Sequence, residues 1–255
     1  MSRTRYIIAN WKMNTTIEQA LELAELTSTA MHQWPDVDIA IAPPATWIVP
    51  LQDAFDLTLN IYLQDVSTEQ HGAYTGEISM SMVAEECIGA LVGHSERRAR
   101  YNETDQLVNQ KFHAVFDQDR RPVLCVGENL DQRQTGNAES VVLGQLDAGL
   151  QGIESNDGLG FMVAYEPVWA IGTGVSASTS DASTMADAIR GWLDEHIESP
   201  ETTIPILYGG SVNPANTLEL LLEPNIDGVL VGSASLNPAS YHAICAAAAE
   251  AMTTN

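Results

Sequence analysis

Short apolar runs recur along the whole chain, at Tyr6–Ala9, Val37–Ala42, Leu57–Leu63, Ile88–Val92, Val123–Val126, Phe161–Ala164, Ile204–Tyr208 and Val229–Val231. They are apolar at consecutive rather than alternate positions, as strands buried on both faces are. The stretches between them carry helical spacing. Ile17, Leu21, Leu23, Ala24 and Leu26 form one such set, and Met185, Ala188, Ile189, Trp192, Leu193 and Ile197 another. Buried strands alternating with amphipathic helices predict a parallel sheet covered by helices. Eight such units in 255 residues fit a closed α/β barrel, (β/α)8, better than an open doubly wound sheet. No linker, charge block or repeat divides the chain, so residues 1–255 read as a single domain.

The unusual polar residues fall at the ends of these runs. Asn10 and Lys12 follow the first, His94-Ser-Glu96 the fourth, Glu166-Pro167 the sixth, Gly209-Gly-Ser211 the seventh and Gly232-Ser233 the eighth. In a parallel barrel all five segments lie at the carboxyl ends of strands, on the one face where loops converge on a site.

Charge changes the picture of partners rather than of fold. Thirty-four acids against eleven bases give a net charge of −23, and only two lysines occur, Lys12 and Lys111. A field of that sign disfavours nucleic acid and anionic membranes. Stability against urea that is the same at low and molar KCl would exclude salt adaptation as its cause. The longest apolar stretch, Ile39–Leu51, is broken by Pro43, Pro44 and Pro50, too short and interrupted for a membrane span. The first residues run into Tyr6–Ala9 without a signal-peptide core, and a cytoplasmic location is expected. Cys87, Cys125 and Cys245 are odd in number and far apart, which supports neither a disulfide framework nor a zinc site. Cys125 reads as a small core residue of a buried strand.

Five loops on one face carry candidate chemistry. Gly209-Gly210-Ser211 and Gly232-Ser233 each stand between a strand and a helical segment, where small residues expose backbone N–H groups to an anion. Two such loops after the last strands point to a phosphorylated substrate. Lys12 is the one lysine at this face, suited to a phosphate or a developing oxyanion. Lys111 lies mid-helix and reads as solvated. His94 opens a helix, whose free N–H groups favour a neutral imidazole able to donate to a carbonyl. Glu96 reads as an ion-pair partner or a proton carrier. Glu166 sits among apolar residues, and desolvation there is expected to raise its pKa toward that of a general base. The segment Gly172-Thr-Gly174-Val-Ser-Ala177 has the composition of a lid.

The motifs Ala9-Asn-Trp-Lys-Met-Asn14, Gly72-Ala-Tyr-Thr-Gly-Glu77, Gly93-His-Ser-Glu-Arg-Arg98, Ala164-Tyr-Glu-Pro-Val-Trp-Ala-Ile-Gly-Thr-Gly174, Leu207-Tyr-Gly-Gly-Ser-Val212 and Asp227-Gly-Val-Leu-Val-Gly232 follow in this order along almost the whole chain. In these motifs the sequence resembles the triosephosphate isomerase family. That resemblance implies a TIM barrel that interconverts dihydroxyacetone phosphate and D-glyceraldehyde 3-phosphate, a step of glycolysis and gluconeogenesis, with no metal or organic cofactor. It implies Glu166 as the base that moves the proton between carbons, and neutral His94 as the electrophile. Asn10 is implied as a further donor, Lys12 as the positive charge and Glu96 as its neighbour. It implies a phosphate grip by the N–H groups of Gly172, Ser211, Gly232 and Ser233, and an apolar clamp of Ile171 and Leu230 on Glu166. It further implies a homodimer in which the Thr75 loop reaches a neighbouring subunit and braces its Asn10 and Lys12. Arg190 and Asp227 match a structural ion pair.

Four positions depart from the family pattern. Ser233 replaces a glycine and would be strained if its backbone needs a positive φ. Val175 and Ser176 replace Lys-Thr at the lid end, and Asp65 replaces an asparagine, adding negative charge near the interface loop. Two other readings remain open at this point. A Schiff-base aldolase would use Lys12, although its amine needs an apolar pocket and Glu96 is the expected neighbour. A non-catalytic phosphate-binding or adhesion protein would keep the pocket without needing Glu166, His94 or Lys12.

Overall fold

The structure is a computed structural model that describes residues 3–153, 155, 160–171, 177–198 and 203–254. The strands are β1 (Arg5–Asn10), β2 (Val37–Ala42), β3 (Tyr62–Leu63), β4 (Gly89–Val92), β5 (Arg121–Val126), β6 (Met162–Tyr165), β7 (Ile206–Tyr208) and β8 (Gly228–Val231). The helices are α1 (Ile17–Gln33), α2 (Ile48–Ala54), α3 (Ser95–Tyr101), α4 (Asp105–Phe116), α5 (Leu130–Gln134), α6 (Ala138–Gly149), α7 (Thr179–His196), α8 (Thr217–Leu222) and α9 (Pro238–Thr253). All strands run parallel in the order β2-β1-β8-β7-β6-β5-β4-β3. The remaining gap is spanned by a parallel bridge between Ile41 and Ile61, where the Ile41 N–H donates to the Asn60 carbonyl at 2.9 Å. The architecture is the expected (β/α)8 barrel.

Why the strands are apolar on both faces is now visible. Ile7, Ala9, Ile39, Ile41, Val92, Leu124 and Val163 pack outward against the helices. Their neighbours Ile8, Ala40, Leu91, Val123, Cys125, Met162, Ala164, Leu207 and Leu230 fill the interior. The period of two survives, but both sets are buried, so the run reads as continuous. Cys125 is fully buried, as expected.

The third run is shorter than its apolar length suggests. Asp56 and Leu57 have φ of +51° and +58°, which turn the chain out of extended geometry at the start of the run, and the β3–β4 ladder holds Tyr62 and Leu63 while Ile61 bridges to Ile41. In α1 the core stripe is Ala20, Leu23, Ala24, Thr27 and Ala30, whereas Leu21 is exposed. The helix is turned so that its small residues meet the barrel. Thr16 caps it, accepting from the Gln19 N–H while the Gln19 side chain accepts from the Thr16 N–H. Loss of such a cap costs about 1 kcal/mol. No helix among the described residues is long and apolar enough to cross a membrane.

Lys111 does not point into solvent. On α4 it is buried, with Nζ 2.6 Å from Asp65 and 2.6 Å from Glu103. Arg97 closes the ring, 2.8 Å from Asp65 and 2.6 Å from Glu103. Asp65 therefore adds no free negative charge, because two cations of its own subunit balance it and Glu103. Burial pushes its carboxyl up nonetheless, against the pull of Lys111 and Arg97.

Candidate active site

The carboxyl ends of β1, β4, β6, β7 and β8 surround one cavity of about 590 Å³. Asn10, Lys12, His94, Glu96, Glu166, Ser211, Gly232 and Ser233 all line it, so the residues singled out along the sequence converge, Gly172 apart. Gly172, Val175 and Ser176, with most of the expected lid, lie outside the described residues.

Lys12 adopts a φ of +53°, a left-handed backbone that is uncommon for a lysine. Each of its polar groups has a partner. Its N–H donates to Asn10 Oδ1 at 3.0 Å, and its carbonyl accepts from Gln64 Nε2 at 2.8 Å. Its Nζ lies 2.6 Å from Glu96 Oε1. The first of these bonds also orients Asn10: with Oδ1 occupied by the Lys12 N–H, the Nδ2 donor is the end left to face a ligand.

Glu166 and His94 form the centre. The carboxylate is 2% exposed, with Oε1 2.9 Å from His94 Nε2 and Oε2 accepting the Ser95 N–H at 2.8 Å. His94 is the N-cap of α3, and its Nδ1 accepts the Glu96 N–H at 3.3 Å. An acceptor at Nδ1 and a donor at Nε2 describe the neutral Nε2–H tautomer. Burial pushes Glu166 up, but His94, the Ser95 N–H and Lys12 together outweigh it and hold the carboxyl below its ordinary value. The expectation of a raised pKa is thus corrected for this ligand-free geometry, because the buried carboxylate has donors on both oxygens. Burial pushes His94 down, and contact with the Glu166 carboxylate more than reverses this. That upward pull belongs to the contact and goes when Glu166 turns elsewhere.

Gly209 makes room for the carboxylate. A Cβ there would stand 3.0 Å from Glu166 Cγ and 3.3 Å from the Tyr165 carbonyl. The backbone N–H groups of Ser211, Gly232 and Ser233 have no protein acceptor among the described residues. Ser233 starts a turn of 3₁₀ helix without a positive φ, so the feared strain is absent. Ile171 and Leu230 line the same cavity.

Sequence reading missed several supporting residues. Glu128 is fully buried just after β5, accepting from Trp169 Nε1 at 2.7 Å, Tyr165 Oη at 3.2 Å and Arg133 at 3.2 Å. It anchors the 3₁₀ turn at Val168–Ala170 that follows Glu166. Its signal was its place, an acid directly after a buried strand. Gln64 stands likewise after β3. Arg190 and Asp227 are paired at 3.1 Å, and Asp227 also accepts the Ile206 N–H at 2.8 Å and pairs with Arg3.

A second cavity of about 680 Å³ adjoins the first through Asn10, Lys12, His94 and Glu96. Met13 and Tyr101, which are 95% and 65% exposed, stand at its wall.

The family profile described as "Triosephosphate isomerase" matches residues 5–248. The chain is 43% identical over 249 residues to the "Triosephosphate isomerase" of Herminiimonas arsenicoxydans, covering 96% of this chain and 100% of that one. It is 41% identical over 242 residues to that of Herpetosiphon aurantiacus, covering 94% and 97%. With that of Corynebacterium efficiens it shares 40% over 259 aligned positions, covering 99% of each.

Proposed function

The chain belongs to the triosephosphate isomerase family, and we propose that it interconverts dihydroxyacetone phosphate and D-glyceraldehyde 3-phosphate through an enediolate, with Glu166 as base and His94 as neutral electrophile. The observation that carries this reading is the buried Glu166 carboxylate opposite His94 Nε2, in the cavity that Lys12 charges.

In the forward direction Glu166 takes a proton from C1 of the ketose, and the electron pair moves into the C1–C2 bond and onto the C2 oxygen. The Nε2–H of His94 donates to that oxygen, and Asn10 Nδ2 adds a second donor. Lys12 offsets the charge that develops on the enediolate, where a fixed cation acts in a partly desolvated site. The proton of the C1 hydroxyl passes through His94 to the C2 oxygen, and Glu166 returns its proton to C2. Protons and electrons balance, with no net oxidation. The substrate phosphate sits on the free N–H groups of Ser211, Gly232 and Ser233. When Glu166 leaves His94 for the substrate carbon it also gives up the donor that holds its pKa down, which makes it a stronger base at that moment. Glu96 keeps Lys12 in place from 2.6 Å. Most of the lid and the Gly172 grip fall outside the described residues.

Assembly belongs to the same reading. The segment from Gly72 to Glu77 is exposed throughout, and Met13 and Tyr101 leave apolar surface bare beside the 680 Å³ cavity. A homodimer, with the Thr75 loop of one subunit in that cavity of the other, accounts for both. We take residues 1–255 as one domain, in the cytoplasm. The test is turnover of D-glyceraldehyde 3-phosphate in a coupled assay at low and molar KCl. Activity that Glu166→Ala abolishes is expected, and a folded but inactive wild-type protein at both salts would refute the proposal.

A further inference from the structure

Glu166 rests on a piece of backbone that one side chain of α6 holds in place. The Glu166 N–H donates to the Val126 carbonyl at 2.8 Å, and the Val168 N–H to the Glu128 carbonyl at 3.1 Å. Residues 126–128, where the chain leaves β5, are thus the surface against which Glu166 and its following turn lie. Gly127, in the middle, touches Glu166 directly: a Cβ there would stand 1.7 Å from the Glu166 carbonyl oxygen. Its φ is not positive, so this contact, and not the backbone conformation, demands a glycine.

Gly127 lies just past the end of the β5–β6 ladder. Its N–H donates to Gln145 Oε1 at 2.8 Å, and its carbonyl accepts from Gln145 Nε2 at 3.2 Å. Both ends of one amide are spent on the backbone of one residue, as a neighbouring strand would spend its own groups. Neither Gly127 group has another hydrogen-bond partner among the described residues. Close docking of α6 on β5 brings Gln145 within reach. Val142, Leu146 and Gly149 form the buried face of that helix, and a Cβ on Gly149 would stand 3.0 Å from the Leu124 side chain.

Packing alone does not hold this place. A cavity of about 220 Å³ adjoins Glu166, lined by Ser95, Cys125, Gly127, Gln145 and Val168 among others. Beside open space, van der Waals contact cannot resist a small shift, and the hydrogen bonds must do so. None of the residues lining this cavity lines the 680 Å³ cavity assigned to the partner's loop, so dimer formation leaves the clamp as it stands.

We propose that Gln145 is a positioning residue for the isomerisation: by clamping Gly127 it fixes the backbone that carries Glu166, and with it the distance from the carboxylate to the substrate carbon. This rests on the reading of Glu166 as the base, and extends it to a residue outside the cavity that holds the substrate.

The test uses the full chain with two substitutions. Gln145→Met keeps the side-chain length and removes both hydrogen bonds, whereas Gln145→Asn keeps the amide but draws it back by one C–C bond, ~1.5 Å. Since misplacement by ~1 Å can cost ~10²-fold, kcat for D-glyceraldehyde 3-phosphate should fall about tenfold in Gln145→Met and at least about threefold in Gln145→Asn. The inhibition constant of inorganic phosphate should stay within about twofold of wild type, because Ser211, Gly232 and Ser233 hang on β7 and β8. The primary deuterium isotope effect on kcat with C2-deuterated substrate should rise, as proton transfer to Glu166 becomes the slow step.

A folded variant with the kcat and isotope effect of wild type would overturn the proposal. So would a loss of kcat matched by an equal loss of phosphate affinity, which is what a merely structural role produces. Should Gln145→Met not fold, Gln145→Asn decides by the same comparison, and failure of both to fold would also overturn the positioning role. Wild-type protein without activity would remove the parent reading instead.

Discussion

Replacing Lys111 by methionine tests the buried charge ring that Lys111 and Arg97 form with Asp65 and Glu103. Methionine keeps the length and apolar stem of lysine and removes only the ammonium. Were Lys111 solvated, the change would lie within about 0.5 kcal/mol. In the structure its Nζ lies 2.6 Å from both Asp65 and Glu103, and the Glu103 side chain is 2% exposed. Breaking a buried ion pair by removing one partner costs about 3–5 kcal/mol. Arg97 still reaches both acids and is 29% exposed, so partial compensation puts the expectation near 3 kcal/mol. At about 2–4 °C per kcal/mol for a chain of this size, Tm should fall by about 6–12 °C.

The pH dependence gives a second handle on the same variant. Asp65 already has a folded pKa above its ordinary value, and loss of Lys111 raises it further. An acid raised in the folded state contributes stability that is fully present below its unfolded pKa of about 3.9 and is lost as pH rises through the folded value. The deficit of Lys111→Met should therefore be small below about pH 3.9 and grow above it. Urea unfolding of both proteins from pH 3.5 to 8 measures this. A deficit under about 1 kcal/mol at pH 7, or one that does not change with pH, would refute the buried-ring argument.

Glu166→Asp draws the carboxylate back by about one C–C bond, ~1.5 Å, and kcat should fall on the order of 10²-fold or more while the unfolding midpoint moves little. A near-normal rate in the coupled assay would remove Glu166 from the role of base. Gly209→Ala brings a Cβ to 3.0 Å from Glu166 Cγ, so the side chain must shift by a few tenths of an ångström. Turnover should drop on the order of tenfold, with Tm nearly unchanged because the Gly209 backbone has no positive φ. Wild-type kcat in that variant would mean that Glu166 has slack the geometry does not suggest.

Local patterning was enough for the eight-fold alternation, the barrel, and the face on which Asn10, Lys12, His94, Glu166, Ser211 and Gly232 meet. It could do so because strand ends follow from local hydrophobic periodicity, and a parallel barrel collects all its carboxyl ends on one side. Where periodicity and backbone conformation disagreed it misled, as at Leu57, whose positive φ keeps the first residue of the apolar run out of the strand. Which side chains become neighbours is a matter of the folded chain. Lys111 meets Asp65 across 46 residues, the Ser95 N–H meets Glu166 across 71, and Lys12 meets Glu96 across 84. Those meetings reverse what isolated residues suggest. A mid-helix lysine becomes the centre of a buried charge ring, and a carboxylate among apolar residues is held down rather than pushed up. The physical reason is that electrostatic energy depends on distance and local dielectric, and neither is written in the order of residues along a chain.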